Sequence, residues 1–255
     1  MQKVNLLGVW IDPLRLDEAL GRIRRAALGE EQRLLMAHVN ITALNLACEQ
    51  PWLRDFFNSA GLVFCDGMGV MLGARLLGRR LPQRFTLADW IWPLAEMGAA
   101  AGASFFFLGN PPGVAQAAAD RLQQRYPALR VAGVQHGFFS HLPGRPENQA
   151  VLARINAARP DILLVGFGMP AQERWLADNW PHLQVRVAIT GGAIFEYVSG
   201  GLRRGPAWMT QYYFEWLARV LISPRRYTRR YLRDIPLFLG RVLRQRWHGT
   251  GDFDE

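Results

Sequence analysis

The chain contains no run of about 18 apolar residues, so no segment is expected to span a bilayer as a helix. Cysteine is scarce: Cys48 and Cys65 are too few for a disulfide framework and match no metal-binding spacing. A reducing compartment, the cytoplasm, is the expected setting. Walker-loop, HExxH and CxxC patterns are absent, as are internal repeats and low-complexity stretches. The one Asp-x-Asp pair, Asp252-Phe253-Asp254, falls among the last residues. These absences argue against a helical membrane span, a disulfide scaffold, a zinc hydrolase and a P-loop nucleotidase. The opening MQKVNLLGVWIDP has a short apolar stretch that runs into Asp12 and Pro13 without a small-residue cleavage site. It reads as a first strand and not as a secretory signal.

What the chain does have is charge in one place. Lys and Arg number 30 against 21 Asp and Glu, a net of +9 over 255 residues. Residues 201–248 alone carry eleven arginines and two acids, Glu215 and Asp234, which is that same +9. A neutral body therefore bears a basic C-terminal tail, which seeks phosphates of nucleic acid, anionic lipid or a diphosphate ligand. Residues 207–222 are aromatic and apolar. After Pro224, arginines alternate with Tyr231, Leu232, Ile235, Leu237, Phe238, Leu239, Val242 and Leu243. Helices with Arg on one face and large apolar residues on the other suit a membrane surface. The same pattern also fits a helix pair docked on the body with its arginines solvated. The mostly aliphatic spacing favours lipid over nucleic acid.

Up to about residue 190, short β-rich runs alternate with helical patterns. Strands are expected at 4–9, 34–39, 62–65, 104–108, 129–134, 162–165 and 185–189. Helices are expected at 17–28, 42–48, 52–58, 69–77, 88–101, 113–125, 147–158 and 171–179. This alternation predicts an α/β fold, Rossmann-like, with a largely parallel sheet covered by helices on both faces. The expected organisation is a catalytic domain over 1–200, a basic amphipathic helical appendage over 201–248 and a flexible tail over 249–255.

Parallel strands in such folds bind ligands at their carboxyl ends, and several strand-to-helix turns there carry distinctive residues. Asp66 and Gly67 follow the strand ending at Cys65; Asp66 is a rim carboxylate or a plain helix cap. Gly109 opens a Gly-Asn-Pro-Pro-Gly turn. Gly166-Phe167-Gly168-Met169-Pro170-Ala171 imitates the dinucleotide pattern G-x-G-x-x-A. It lies late in the chain, however, and the next strand ends at Thr190, with no ribose-binding acid. Gln172 and Glu173 follow in the first helical turn, where Glu173 is either a ligand contact or a residue that complements the helix dipole. Gly191 and Gly192 form another turn, and Asn40 joins the same rim. Together these turns predict a rim of backbone donors for a phosphorylated ligand.

In order and spacing, these motifs resemble the WecG/TagA/CpsF family of bacterial glycosyltransferases. The resemblance covers roughly residues 5 to 246: HVN (38–40), CDGMG (65–69), Arg84 with Asp89, LLVGFGMPAQE (163–173), the glycine pair 191–192, RRGP (203–206), EWLAR (215–219) and PRR (224–226). It implies transfer of a sugar from a UDP-sugar to a polyprenyl-diphosphate-linked saccharide, with inversion and without a metal or other cofactor. The sugar would be of the N-acetylmannosamine, N-acetylmannosaminuronate or glucose type. By position, Asp66 matches the proposed catalytic base, and Asn40, Gln172 and Arg84 match pocket residues. Arg219, Arg226 and Arg229 match appendage arginines that reach diphosphate groups, a task that favours bidentate guanidinium over lysine. Two departures stand near the sugar site. His38 occupies a position where many members have threonine, and it reads either as a pocket residue or as a buried structural histidine. Leu87 replaces a glycine in the R-x-x-G-x-D pattern, here RFTLAD (84–89).

The expected partners are thus the UDP-sugar, the lipid-linked acceptor and the inner face of the cytoplasmic membrane, with room for a homo-oligomer and no role for nucleic acid. The residue pattern leaves two other classes standing: an NAD-dependent oxidoreductase using GFGMPA, and a nucleic-acid-binding protein using the basic tail.

Overall fold

The central sheet has six parallel strands: β3 (Leu34–Val39), β4 (Leu62–Cys65), β5 (Ser104–Gly109), β6 (Arg130–Gln135), β7 (Ile162–Gly166) and β8 (Val187–Thr190). Their spatial order is β4-β3-β8-β7-β5-β6. The computed structural model describes residues 2–202 and 224–249. All strands but β6 are buried along their whole length, which is why they read as continuous apolar runs such as LLMAHV and ILLVG. The half-exposed β6 closes one edge.

Helices cover both faces. One core holds the inner sides of α2 (Ile41–Glu49), α3 (Pro51–Ser59), α4 (Met68–Leu76), α7 (Pro146–Ala158) and α8 (Ala171–Asn179). The other holds α1 (Leu16–Ala27), α5 (Leu87–Ala101), α6 (Val114–Arg125) and α9 (Ile194–Ser199). Strand residues alternate between the cores: Leu35, Ala37 and Val39 of β3 face the first, Leu34 and Met36 the second. The α/β class and the helix–strand alternation expected from the sequence are both present.

The N-terminus departs from expectation. The stretch 4–9 is not one strand of the main sheet but the start of a separate antiparallel hairpin, β1 (Val4–Leu6) and β2 (Val9–Ile11). Leu7 and Gly8 turn it with φ of 56° and 79°. Gly8 N–H donates to Asn5 Oδ1 (3.1 Å), and Leu7 N–H donates to Oε1 of Gln245 (2.9 Å). A left-handed leucine is unfavourable on its own. Here it is buried and tied to a side chain from the far end of the chain.

That far end is α10 (Pro224–His248), one continuous helix over the arginine-rich half of the tail. Asp234, Phe238, Val242 and Gln245 recur at helical spacing and are buried. Thr42 Oγ1 donates to Asp234 (2.6 Å), Arg241 pairs with Glu49 (3.0 Å), and Phe238 lies where any side chain at Gly73 would stand. Phe238 and Val242 belong to the same core as α2 and α4, so this helix is part of the body's packing. The expected aromatic stretch 207–222 and the tail residues 250–255 lie outside the described residues.

Candidate active site

The helices that follow β3 and β8 leave in opposite directions. The buried face of α2 enters one core and that of α9 the other. Such opposition, which recurs from β8 to β7 and from β7 to β5, marks the carboxyl-end crevice where open α/β sheets bind ligands. The sequence places chemistry along this row. In strand order the ends carry Asp66 (β4), His38 and Asn40 (β3), Thr190 with Gly191 and Gly192 (β8), Gly166 (β7), and Gly109 with Asn110 (β5). At the usual strand spacing this row spans about 20 Å from Asp66 to Asn110.

Asp66 is half-buried, and its N–H donates to Val39 O (2.8 Å), extending the β3–β4 ladder by one residue. Gly67 follows with φ of 102° and open space where a side chain would stand. Asn40 caps α2, its Oδ1 accepting from Ala43 N–H (3.0 Å), so its amide nitrogen is the group left to offer a ligand. Arg84 and Asp89 flank this end. Phe85 N–H donates to Cys65 O (2.8 Å), and Arg84 Nη2 lies 3.6 Å from Asp89 Oδ2.

His38 is buried at the crevice. Its backbone N–H donates to Thr190 Oγ1 (3.0 Å), and its Nδ1 lies 2.7 Å from that oxygen and 3.1 Å from Thr190 O. The Cε1–Nε2 edge of the ring is the part that a side chain added at Gly192 would meet, at 3.9 Å. Burial pushes the imidazole pKa down, against the charge of Asp66 and the Thr190 carbonyl, so His38 is neutral at neutral pH.

The glycine turns correct one expectation. Gly191 N–H donates to Val165 O (2.7 Å), and Gly192 N–H donates to Gln172 Oε1 (2.8 Å). Neither donor is free, so this turn is not an open cradle for phosphate. Gly109, at φ of 144°, packs so closely on the Gly166 backbone that no side chain fits between them. Gly168 has positive φ and faces open space. The loop around it carries a cis Met169–Pro170 bond, and Phe167 stacks on His141 at 4.2 Å and meets Trp175 edge-on.

Gln172 is buried and bridges to the Gly192 turn. Glu173, a ligand contact or a dipole-complementing residue by its sequence position, is fully enclosed, because its position on α8 turns it inward. Its Oε1 accepts from Gln172 Nε2 (2.7 Å), and its Oε2 has no partner. Arg219 lies outside the described residues, and for Arg226 and Arg229 only helical backbone is described. Thr190 and Asn110 lie in turns that the sequence singled out, without being named as site residues themselves, and Glu196 was passed over. Asn110 Nδ2 donates to Glu196 Oε1 (3.1 Å), joining the β5 turn to α9. An asparagine after a strand-ending glycine, and a carboxylate in the first turn after the glycine pair, were the available signals.

Comparison with known proteins agrees in extent. The sequence model of the glycosyl transferase WecG/TagA/CpsF family matches residues 4–251. An N-acetylglucosaminyldiphosphoundecaprenol N-acetyl-beta-D-mannosaminyltransferase of Staphylococcus aureus strain MRSA252 is 27% identical over 243 residues, covering 95% of this chain and 92% of the relative. The protein of the same name from strain MW2 is 26% identical over the same share of both chains.

Proposed function

Because the chain belongs to the WecG/TagA/CpsF family of glycosyltransferases, we propose that it transfers a sugar from a UDP-sugar to a polyprenyl-diphosphate-linked saccharide, inverting the anomeric centre without a metal. The observation that carries this reading is the row of strand ends, with a half-buried carboxylate, Asp66, beside the carboxyl-end crevice. In the proposed step an acceptor hydroxyl oxygen attacks the anomeric carbon. Asp66 takes the hydroxyl proton as the carbon–oxygen bond to UDP breaks, and UDP leaves with the bonding pair. Arg84 and the tail arginines Arg219, Arg226 and Arg229 are assigned to the diphosphate charges. The nucleoside is assigned to the far end of the row, near Asn110 and Glu196, because the row is long enough for a sugar, a diphosphate and a nucleoside in line.

The relatives' names support the acceptor class, since they specify a diphosphoundecaprenol-linked saccharide. The outer face of α10 supports action at a membrane surface, which we assign to the inner face of the cytoplasmic membrane. Leu232 is 73% exposed and Trp247 76%, with Leu243 and the exposed Arg233 and Arg244 along the same helix. No described helix is long and apolar enough to cross a membrane. Arg241 and Arg246 are directed to the body instead, toward Glu49 and the Leu76 carbonyl.

Titration with UDP and with NADH, followed by tryptophan fluorescence, tests the donor class. Saturable binding of UDP and none of NADH is expected. The reverse would replace this reading with an oxidoreductase.

A further inference from the structure

Three groups form a chain of hydrogen bonds from the interior to the crevice. Gly192 N–H donates to Gln172 Oε1 (2.8 Å), and Gln172 Nε2 donates to Glu173 Oε1 (2.7 Å). Gln172 and Glu173 are both fully buried, and the second carboxyl oxygen of Glu173 meets no partner. A carboxamide has two nearly isosteric ends, one accepting and one donating. Facing the Gly192 N–H, only the oxygen end is favourable. A neighbour that accepts and cannot donate from that position selects this orientation, and the facing Glu173 oxygen is such a neighbour. An enclosed carboxyl with an unmatched oxygen is costly to keep, which points to a task that offsets its cost.

We propose that Glu173 is a positioning residue of the transfer site: its enclosed carboxyl holds the Gln172 carboxamide so that the amide oxygen takes the Gly192 N–H, which fixes the 190–193 turn against His38. The turn lies across His38 from Asp66 in strand order, and a side chain added at Gly192 would meet the Cε1–Nε2 edge of the His38 ring at 3.9 Å. Glu173 itself does not reach the crevice. Its effect passes through Gln172 and the turn, and falls on the donor that the turn lines. This inference rests on the transferase reading and adds to it a residue that touches no substrate.

The test compares Glu173→Leu, which cannot accept, with Glu173→Gln, whose amide oxygen can, measuring steady-state kinetics and UDP affinity by calorimetry. For Glu173→Leu, loss of one orienting hydrogen bond should raise the donor KM and the UDP Kd about ten-fold. Its kcat and acceptor KM should stay within about two-fold of wild type, and Glu173→Gln should restore the donor KM to the same margin. A general packing defect would instead lower kcat and weaken both substrates together, with no rescue by Gln, and that pattern overturns the proposal. If Glu173→Leu does not fold, the smaller Glu173→Ala, which also cannot accept, takes its place and should give the same selective rise. Variants equal to a UDP-binding wild type remove only the positioning role, whereas a wild type that binds no UDP removes the transferase reading and this inference with it.

Discussion

Asp66→Asn is expected to lower turnover about a thousand-fold, within the range usual for losing a general base, while UDP affinity stays within about three-fold of wild type. The amide matches the carboxylate in shape but cannot take the acceptor proton. The local backbone should survive, because the contact extending the β3–β4 ladder runs from the Asp66 N–H and not from its side chain. Fold and donor site are thereby separated from proton transfer. Steady-state kinetics together with UDP calorimetry on the same preparation decide the point. Turnover within a factor of five of wild type would remove Asp66 from the mechanism, and loss of UDP binding would make it a donor ligand.

The second large effect concerns stability. Burial pushes the Glu173 carboxyl up from 4.5 to about 7, with hydrogen bonds from Gln172 and from its own backbone pulling the other way. A carboxyl whose folded pKa is raised contributes stability below its unfolded pKa and loses it as pH rises to the folded value. The window therefore runs from about pH 4.5 to about pH 7, because the unfolded chain ionises there and the folded chain does not. Glutamine at this position does not titrate, and its amide nitrogen stands where the protonated acid carries its O–H. The stability of Glu173→Gln relative to wild type should thus rise by on the order of 3 kcal/mol across that window. His38 is shifted in both proteins alike and cancels in the difference. Urea unfolding at pH 4.5, 6 and 8 reads the effect, and a difference that does not change with pH would mean that Glu173 is not enclosed in solution.

Much of the architecture was legible because parallel strands buried on both faces write themselves as apolar runs, and each run ends at a glycine-, aspartate- or asparagine-bearing turn. LVFC before Asp66 and ILLV before Gly166 are strands in both readings. The expected row of site residues follows from those endings: His38, Asn40, Asp66, Gly67, Gln172, Gly191 and Gly192 come together at adjoining strand ends. The hairpin was not legible, since a leucine at positive φ depends on Gln245, 238 residues away in sequence. Nor could periodicity report where a polar side chain turns once its helix is set. Gln172 and Glu173 are sequence neighbours in one helical turn; one reaches the glycine turn and the other is sealed behind it. The same limit hid the pairing of Asn110 with Glu196, which depends on β5 and the start of α9 being neighbours in space.

The most direct measurement is mass spectrometry of a short-chain polyprenyl-diphosphate-linked saccharide incubated with the purified protein and a panel of UDP-sugars, with and without a chelator. The account predicts that with one donor the lipid gains the mass of a single sugar, with an equal amount of UDP released and no effect of the chelator. An acceptor left unchanged by every donor, or glycosylation abolished by the chelator, would contradict it.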